Sequence, residues 1–104
     1  MSKNKVATFG EQVRELREEA NLSLREVAEK IGIDTSLLGK IERSERQPTK
    51  EQIKQVAKYF KLDEKEMLKE YLSDQIAYKI LEEEADLDIL KVAEKKVQYL
   101  KAKQ

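Results

Sequence analysis

The most restrictive feature of this sequence is a pair of helix-start signals separated by one glycine. Ser23 followed three residues later by Glu26 is a capping-box pattern, and it opens a short apolar-periodic stretch that ends at Gly32. Gly32 stands where a helix end needs positive φ, and Asp34 can cap a following helix. Two short helices must therefore meet across a tight turn, which is a helix-turn-helix geometry.

The rest of the chain also reads as helix. Apolar residues at three-to-four spacing predict a first helix over Thr8–Ala20, capped by Thr8 with Glu11. The helix after the tight turn is predicted from Thr35 to about Arg43. Three further helices are predicted: one capped by Thr49 with Gln52, one capped by Asp63 with Glu66, and a last one marked by Leu87, Leu90, Val97 and Leu100.

Composition supports this pattern and bounds the fold. The 104 residues include three glycines and one proline, so few turns can be built. An apolar stripe that starts at Met67 continues to Ile80, which is longer than a compact five-helix domain needs. The fold expectation is all-α: a five-helix domain over residues 8–72, followed by a C-terminal helical extension over residues 73–104.

Several function classes are disfavoured by what the sequence lacks. It has no cysteine and no histidine, which removes thiol chemistry, the commonest general base and Cys/His zinc sites. The serines therefore have no histidine to activate them, and no glycine-rich phosphate loop occurs. No stretch of 18 apolar residues and no apolar leader is present. We expect no enzyme activity, no metal, no cofactor, no membrane contact and a cytoplasmic location.

Charge is balanced overall but unevenly placed. The net charge is zero, yet residues 1–62 carry 13 basic against 10 acidic side chains and residues 63–104 carry 8 against 11. Lys40–Lys61 is the most polarised run, with seven basic and three acidic residues. A basic surface on one side of a neutral protein is compatible with docking on nucleic-acid phosphate. The alternative is that this run is only a solvated face.

The residues from Leu22 to Asp34, together with Leu38 and the run Ile41–Thr49, carry a family resemblance. This pattern resembles the phage-repressor/Cro-like (XRE-type) family of helix-turn-helix transcriptional regulators, over about residues 9–70. The resemblance implies a repressor-like five-helix domain that binds double-stranded DNA with its third helix in the major groove. It implies nothing about residues 75–104.

The resemblance also assigns roles to individual positions. The third helix would contact base edges, with Lys40 suited to guanine and Leu37 to a thymine methyl. A largely buried ion pair between Arg17 and Glu42 would join the first helix to the third. The implied base contacts are Thr35, Ser36, Leu37, Gly39 and Lys40, and the implied phosphate contacts are Arg25, Arg43, Arg46 and Thr49.

Two positions depart from the family pattern, and some roles have alternatives. Leu24 replaces a usual glutamine that contacts phosphate, and Ser44 replaces a usual glycine, so that strain or a different cap is expected there. Thr35 and Ser36 could be nothing more than first-turn polar residues. Leu37 could equally be a partner contact or an ordinary exposed leucine.

Apolar positions in the C-terminal third exceed what one small domain can cover. They predict a homodimer, whose two copies would read an inverted repeat with half-sites about one helical turn, roughly 34 Å, apart. The alternatives are helices that complete a monomer core, or an antitoxin or restriction-modification controller that binds a protein partner. The acidic cluster Glu82–Asp88 is interpreted as a helix connection, with cation or protein binding as its alternative. The predicted dimerisation residues are Ile76, Ile80, Leu87, Leu90, Val97 and Leu100.

Overall fold

The computed structural model describes residues 6–104, and within them all regular structure is helical. The six helices are α1 (Phe9–Glu19), α2 (Leu24–Ile31), α3 (Thr35–Glu42), α4 (Lys50–Tyr59), α5 (Glu64–Glu82) and α6 (Asp88–Ala102). The all-α prediction is confirmed. The predicted ends of the first and third helices lie within one residue of those observed.

Three predicted capping boxes fix the starts of α1, α2 and α4. At Thr8, Ser23 and Thr49 the side chain accepts from the backbone N–H three residues on, and the Glu or Gln there accepts from the cap N–H. The prediction that Asp34 caps α3 is only partly right. Asp34 occupies the N-cap position of α3, but its side chain makes no capping hydrogen bond. At α5 the carboxylate of Asp63 accepts from the N–H of Lys65 at 2.8 Å.

Five of these helices end in one kind of turn. In each turn a residue with positive φ follows the helix, and the next residue's N–H returns to a carbonyl five positions earlier, as in the Schellman motif. Gly32 is the only glycine among the five; the φ values are 57° at Asn21, 74° at Gly32, 61° at Ser44, 58° at Lys61 and 53° at Glu84. Four L side chains therefore hold a conformation that favours glycine.

The core of the N-terminal part is built from α1 to α5. Its largest fully buried side chains are Phe9, Leu38, Ile53, Met67, Val13 and Val27. At Gly10, an added Cβ would overlap the carbonyl oxygen of Ile41 and lie 2.9 Å from that of Glu42. The first turn of α1 thus packs directly on the C-terminal backbone of α3, and only glycine permits this approach.

The contacts divide the chain after Asp74, inside α5. Of the described residues, those from 6 to 74 form one compact unit, and residues 75–104 form another that contains the last part of α5 and α6. In α6 no residue is buried.

Candidate nucleic-acid interface

The turn between α2 and α3 is short, and a side chain of the turn anchors it in the core. Gly32 takes the left-handed conformation, and the next residue, Ile33, donates its N–H to the carbonyl of Ala28 at 3.0 Å. The Ile33 side chain packs against the core, so the turn is anchored at its centre. Leu38 and Ile41 are buried and form the inner side of α3.

The first turn of α3 presents polar groups to solvent. Thr35, Ser36 and Lys40 are exposed, which gives this short helix two hydroxyls and one ammonium group on its outer side. Hydroxyls can donate or accept, and an ammonium group donates only, so together they suit the mixed edges of base pairs.

Two positions on α3 differ from their predicted exposure. Gly39, expected to lie outside, is buried: a Cβ there would lie 3.2 Å from an Arg43 guanidinium nitrogen and 3.9 Å from a methyl carbon of Leu24. Leu37 is partly buried and packs against the core rather than standing free on the outer side. Gly39 is covered by the long side chains of Arg43 and Leu24, which the periodicity of α3 alone does not reveal.

Leu24 explains part of this covering. It is the first residue of α2, is partly buried and packs against the core. A leucine side chain has no donor or acceptor, so it cannot hydrogen-bond phosphate. Its contact with α3 at Gly39 is apolar instead.

The cationic residues around α3 are exposed, and two of them have acidic partners. Arg43 forms an ion pair with Glu45 at 2.8 Å, and Arg25 forms a longer one with Glu29 at 3.4 Å. Arg46 is exposed in the loop. The predicted phosphate contact Thr49 uses its oxygen as the N-cap of α4, and its hydroxyl proton can still be donated.

A buried ion pair ties α3 to α1. The guanidinium of Arg17 donates to both carboxylate oxygens of Glu42, at 2.8 and 3.0 Å, and to the carbonyl of Leu22 at 2.9 Å. Only 13% of the Arg17 side chain and 4% of the Glu42 side chain are exposed. Hydrogen bonding to Glu42 is the main cause that raises the pKa of Arg17 above its ordinary value. The angle of α3 is thereby fixed by a two-pronged contact.

The loop after α3 is tied to the start of α1. Ser44, in the left-handed conformation, lies 3.2 Å from Thr8 between hydroxyl oxygens. The expectation of strain at this non-glycine position is met, since the turn keeps the shape that a glycine would take. The hydroxyl contact across 36 residues could not be foreseen from local sequence.

Two negative findings apply to residues 6–104. No group of three or more acidic, histidine or cysteine side chains there is arranged to hold a metal ion. None of the helices in that range combines the length and apolar character needed to cross a lipid bilayer.

A tight-turned helix pair, with a polar and basic outer face on a rigidly held second helix, defines the class of helix-turn-helix DNA-binding proteins. The sequence profile of the family described as Helix-turn-helix matches residues 13–67, a little over half of the chain. The chain belongs to this XRE-type helix-turn-helix family, and it is a DNA-binding transcriptional regulator.

Solved structures agree with this assignment. The restriction-modification controller protein C.AhdI from Aeromonas hydrophila is 32% identical, with a TM-score of 0.53, over 57% of this chain and 89% of its own. The biofilm master regulator SinR, solved in complex with DNA, is 29% identical, with a TM-score of 0.54, over 59% and 98%. A SinR–SinI protein complex matches 91% of this chain and 99% of its own at 20% identity and a TM-score of 0.55, which shows the fold alone. No curated relative matches the sequence.

Proposed function

We propose that this protein binds an inverted DNA repeat as a homodimer, with α3 of each copy in the major groove. Thr35, Ser36 and Lys40 would contact base edges, and Leu37 would contact a thymine methyl with the part of its side chain that the core leaves uncovered. Gly39 is buried beneath Arg43, so it would not contact a base. Backbone phosphates would be held by Arg25, Arg43, Arg46 and Thr49.

The observation that carries this proposal is the fixed position of the exposed polar end of α3. The buried Arg17–Glu42 pair and the direct packing of α1 at Gly10 hold the C-terminal half of α3, while its first turn stays exposed. A reader helix has to be held in this way, because base discrimination depends on hydrogen-bond geometry.

Support for a homodimer comes from apolar side chains in the C-terminal unit. Ile76, Leu87, Leu90, Val97 and Leu100 are 44–69% exposed, and Ile80 is partly buried. Along α6, the apolar residues Leu90, Ala93, Val97 and Leu100 are spaced by three, four and three positions, which is the spacing typical of a coiled-coil seam. A second copy of the chain would cover such a seam.

Fluorescence anisotropy tests the DNA-binding proposal directly. The labelled duplexes are the region upstream of the protein's own gene and a scrambled duplex of equal length, compared across a salt series. We expect the native duplex to bind at least about a hundredfold tighter and both affinities to fall steeply with salt. Equal affinities for the two duplexes would contradict sequence-specific reading.

Lys40→Ala then tests the assigned reader. Loss of the base contact should weaken binding of the native duplex about tenfold or more and weaken the scrambled duplex much less. Lys91→Ala in α6 is the control, since it removes the same charge from a position with no assigned DNA contact. If the two variants behave alike, Lys40 contributes charge only.

A second candidate is a regulator whose C-terminal unit binds a different protein. The SinR–SinI complex favours testing it, because that match extends over 91% of this chain. A second protein that copurifies at fixed stoichiometry, in place of a homodimer, would support this candidate.

A further inference from the structure

We propose that Glu45 sets the affinity of this protein for DNA by holding the Arg43 guanidinium in an intramolecular ion pair that phosphate must displace. We call this pair the Arg43–Glu45 clasp. The inference rests on the proposed function and goes beyond it, because it concerns a carboxylate to which the family resemblance assigns no role and which is absent from the predicted contacts.

The geometry of the clasp is that of a two-point pair. Nε of Arg43 donates to Oε2 of Glu45 at 2.8 Å, and an Nη donates to Oε1 at 3.4 Å. Both side chains are 55% exposed, so solvent and ligands reach them. A planar guanidinium that grips a carboxylate in this way presents the same donors that it would use on a phosphate.

The backbone places Glu45 beside Arg43. Ser44 is the left-handed residue of the turn that ends α3, and the N–H of Glu45 donates to the carbonyl of Lys40 at 2.9 Å. In the other four turns, the residue that follows the left-handed residue is apolar. An apolar residue at this position usually packs on the helix that the turn ends. Those four residues are Leu22, Ile33, Leu62 and Ala85. At α3 a carboxylate takes this position and pairs with Arg43.

The clasp lies on the proposed DNA-facing side of α3. A guanidinium nitrogen of Arg43 lies close to Gly39, a residue of α3. The charge of Lys40, also on α3, acts on Glu45 as well. The hydrogen bond from Arg43 is the main cause that lowers the pKa of Glu45 below its ordinary value. Glu45 is therefore ionised at neutral pH and opposes an approaching phosphate.

Binding then requires an exchange of partners. The Arg43 guanidinium leaves the carboxylate and donates to a phosphate oxygen, and the carboxylate turns into solvent. Phosphates are the same in every sequence, so this exchange weakens all duplexes equally and leaves sequence preference unchanged. The clasp would limit the time spent on nonspecific DNA without altering base reading.

The clasp itself can be tested without DNA. The carboxyl carbon of Glu45 is followed by NMR through an acid titration, in the wild-type chain and in Arg43→Gln. We expect the pKa of Glu45 to be higher in the variant than in the wild-type chain. Identical titration curves would overturn the clasp.

Its effect on DNA binding is tested with Glu45→Gln, which keeps the size of the side chain and removes its charge. We expect the variant to bind native and scrambled duplexes about three- to tenfold tighter than the wild-type chain does. The slope of log affinity against log salt concentration should be steeper by up to about 0.9, the value for one added phosphate contact. In an Arg43→Gln background, Glu45→Gln should raise the affinity for DNA by no more than the charge control does. That control is Glu18→Gln, which removes a carboxylate from the exposed Arg14–Glu18 pair in α1.

The outcomes separate the inference from the function on which it rests. Wild-type protein that binds no duplex would overturn the proposed function and this inference together. Wild-type binding with Glu45→Gln no tighter than Glu18→Gln would overturn the inference alone. If Glu45→Gln raised the affinity for DNA equally with and without Arg43, the inference would also be overturned. The gain would then come from the change in overall charge and not from release of Arg43.

Discussion

Left-handed residues at the helix ends are the clearest local strain in this chain. Lys61 is one of four non-glycine residues with positive φ in the described structure, and its side chain is exposed at the end of α4. Lys61→Gly should raise the free energy of unfolding by about 1 kcal/mol, because glycine adopts this conformation without steric cost. Urea unfolding measures the change.

A matched control lies within the same helix. Lys54 is exposed in the interior of α4, and Lys54→Gly removes the same side chain and charge. It should lower the free energy of unfolding by about 1 kcal/mol, since glycine is unfavourable inside a helix. If both variants change stability in the same direction, backbone strain at Lys61 is not the cause.

The buried Arg17–Glu42 pair gives a second prediction at the scale of single residues. Glu42→Ala leaves the Arg17 guanidinium buried with one backbone acceptor, so the free energy of unfolding should fall by about 3 kcal/mol. Glu18→Ala, which breaks an exposed ion pair of α1, should cost less than about 1 kcal/mol. An unchanged melting temperature for Glu42→Ala would show that the pair does not hold the fold.

At the scale of elements, α5 holds the start of α1. The carboxylate of Asp74 accepts from the N–H of Phe9 at 2.7 Å, and the amide of Gln12 donates to Glu70 at 2.7 Å. Two residues of α5 thus satisfy polar groups in the first turn of α1. Since α1 in turn holds α3, this contact extends the support of the proposed reading helix to a third element.

Asp74 makes this junction sensitive to pH. Partial burial is the main cause that raises the pKa of its carboxyl above the ordinary value of 3.8; the hydrogen bond from Phe9 opposes this, and the charges of Glu70 and Glu11 add to it. The folded state therefore holds the Asp74 proton more tightly than the unfolded state. Its contribution to stability is complete below pH 3.8 and declines as the pH rises through the raised pKa.

Asp74→Asn isolates that contribution. The amide oxygen can still accept from Phe9 without placing a charge beside Glu70 and Glu11. The variant should gain stability relative to wild type as the pH rises from 3.8 through the raised pKa of Asp74, and should be at least as stable at neutral pH. Asp74→Ala should cost about 1 kcal/mol, because the Phe9 N–H loses its acceptor. Thermal unfolding across this pH range measures both, and a constant difference between Asn and Asp would contradict the raised pKa.

How much the sequence could predict depends on how far apart in the chain the interacting residues lie. The capping boxes at Thr8, Ser23 and Thr49 lie within four residues, so residue type and spacing were sufficient to place three helix starts. The burial of Gly39 depends on the Arg43 and Leu24 side chains, and the left-handed turns at Lys61 and Glu84 carry no glycine to mark them. The Asp74–Phe9 bond joins residues 65 apart, and no local pattern encodes it.

The candidate interface shows the same division. Periodicity and the family resemblance identified the helix pair and the exposed polar positions of α3. They did not indicate Glu45, since a single acidic residue in a basic loop is an ordinary observation. Its pairing with Arg43 depends on the turn shape at Ser44, which becomes visible only when φ is known.

At the scale of the whole molecule, the proposed homodimer depends on the apolar seam of α6. Val97 lies in that seam and is 50% exposed, so Val97→Lys would place a charge where the second copy should pack. Sedimentation equilibrium at micromolar concentration should show the mass of two chains for the wild-type protein and of one for the variant. Gln98→Lys introduces the same charge beside the seam and should remain dimeric.

The same pair of variants links oligomeric state to DNA binding. A duplex with two half-sites should bind Val97→Lys at least about a hundredfold more weakly than Gln98→Lys, because the second half-site no longer adds to the first. A duplex with a single half-site should bind both variants equally, since α3 and its supports are unchanged. If Val97→Lys is monomeric yet binds the double site as tightly as Gln98→Lys, each copy reads its half-site independently, and the C-terminal unit has a role other than pairing the readers.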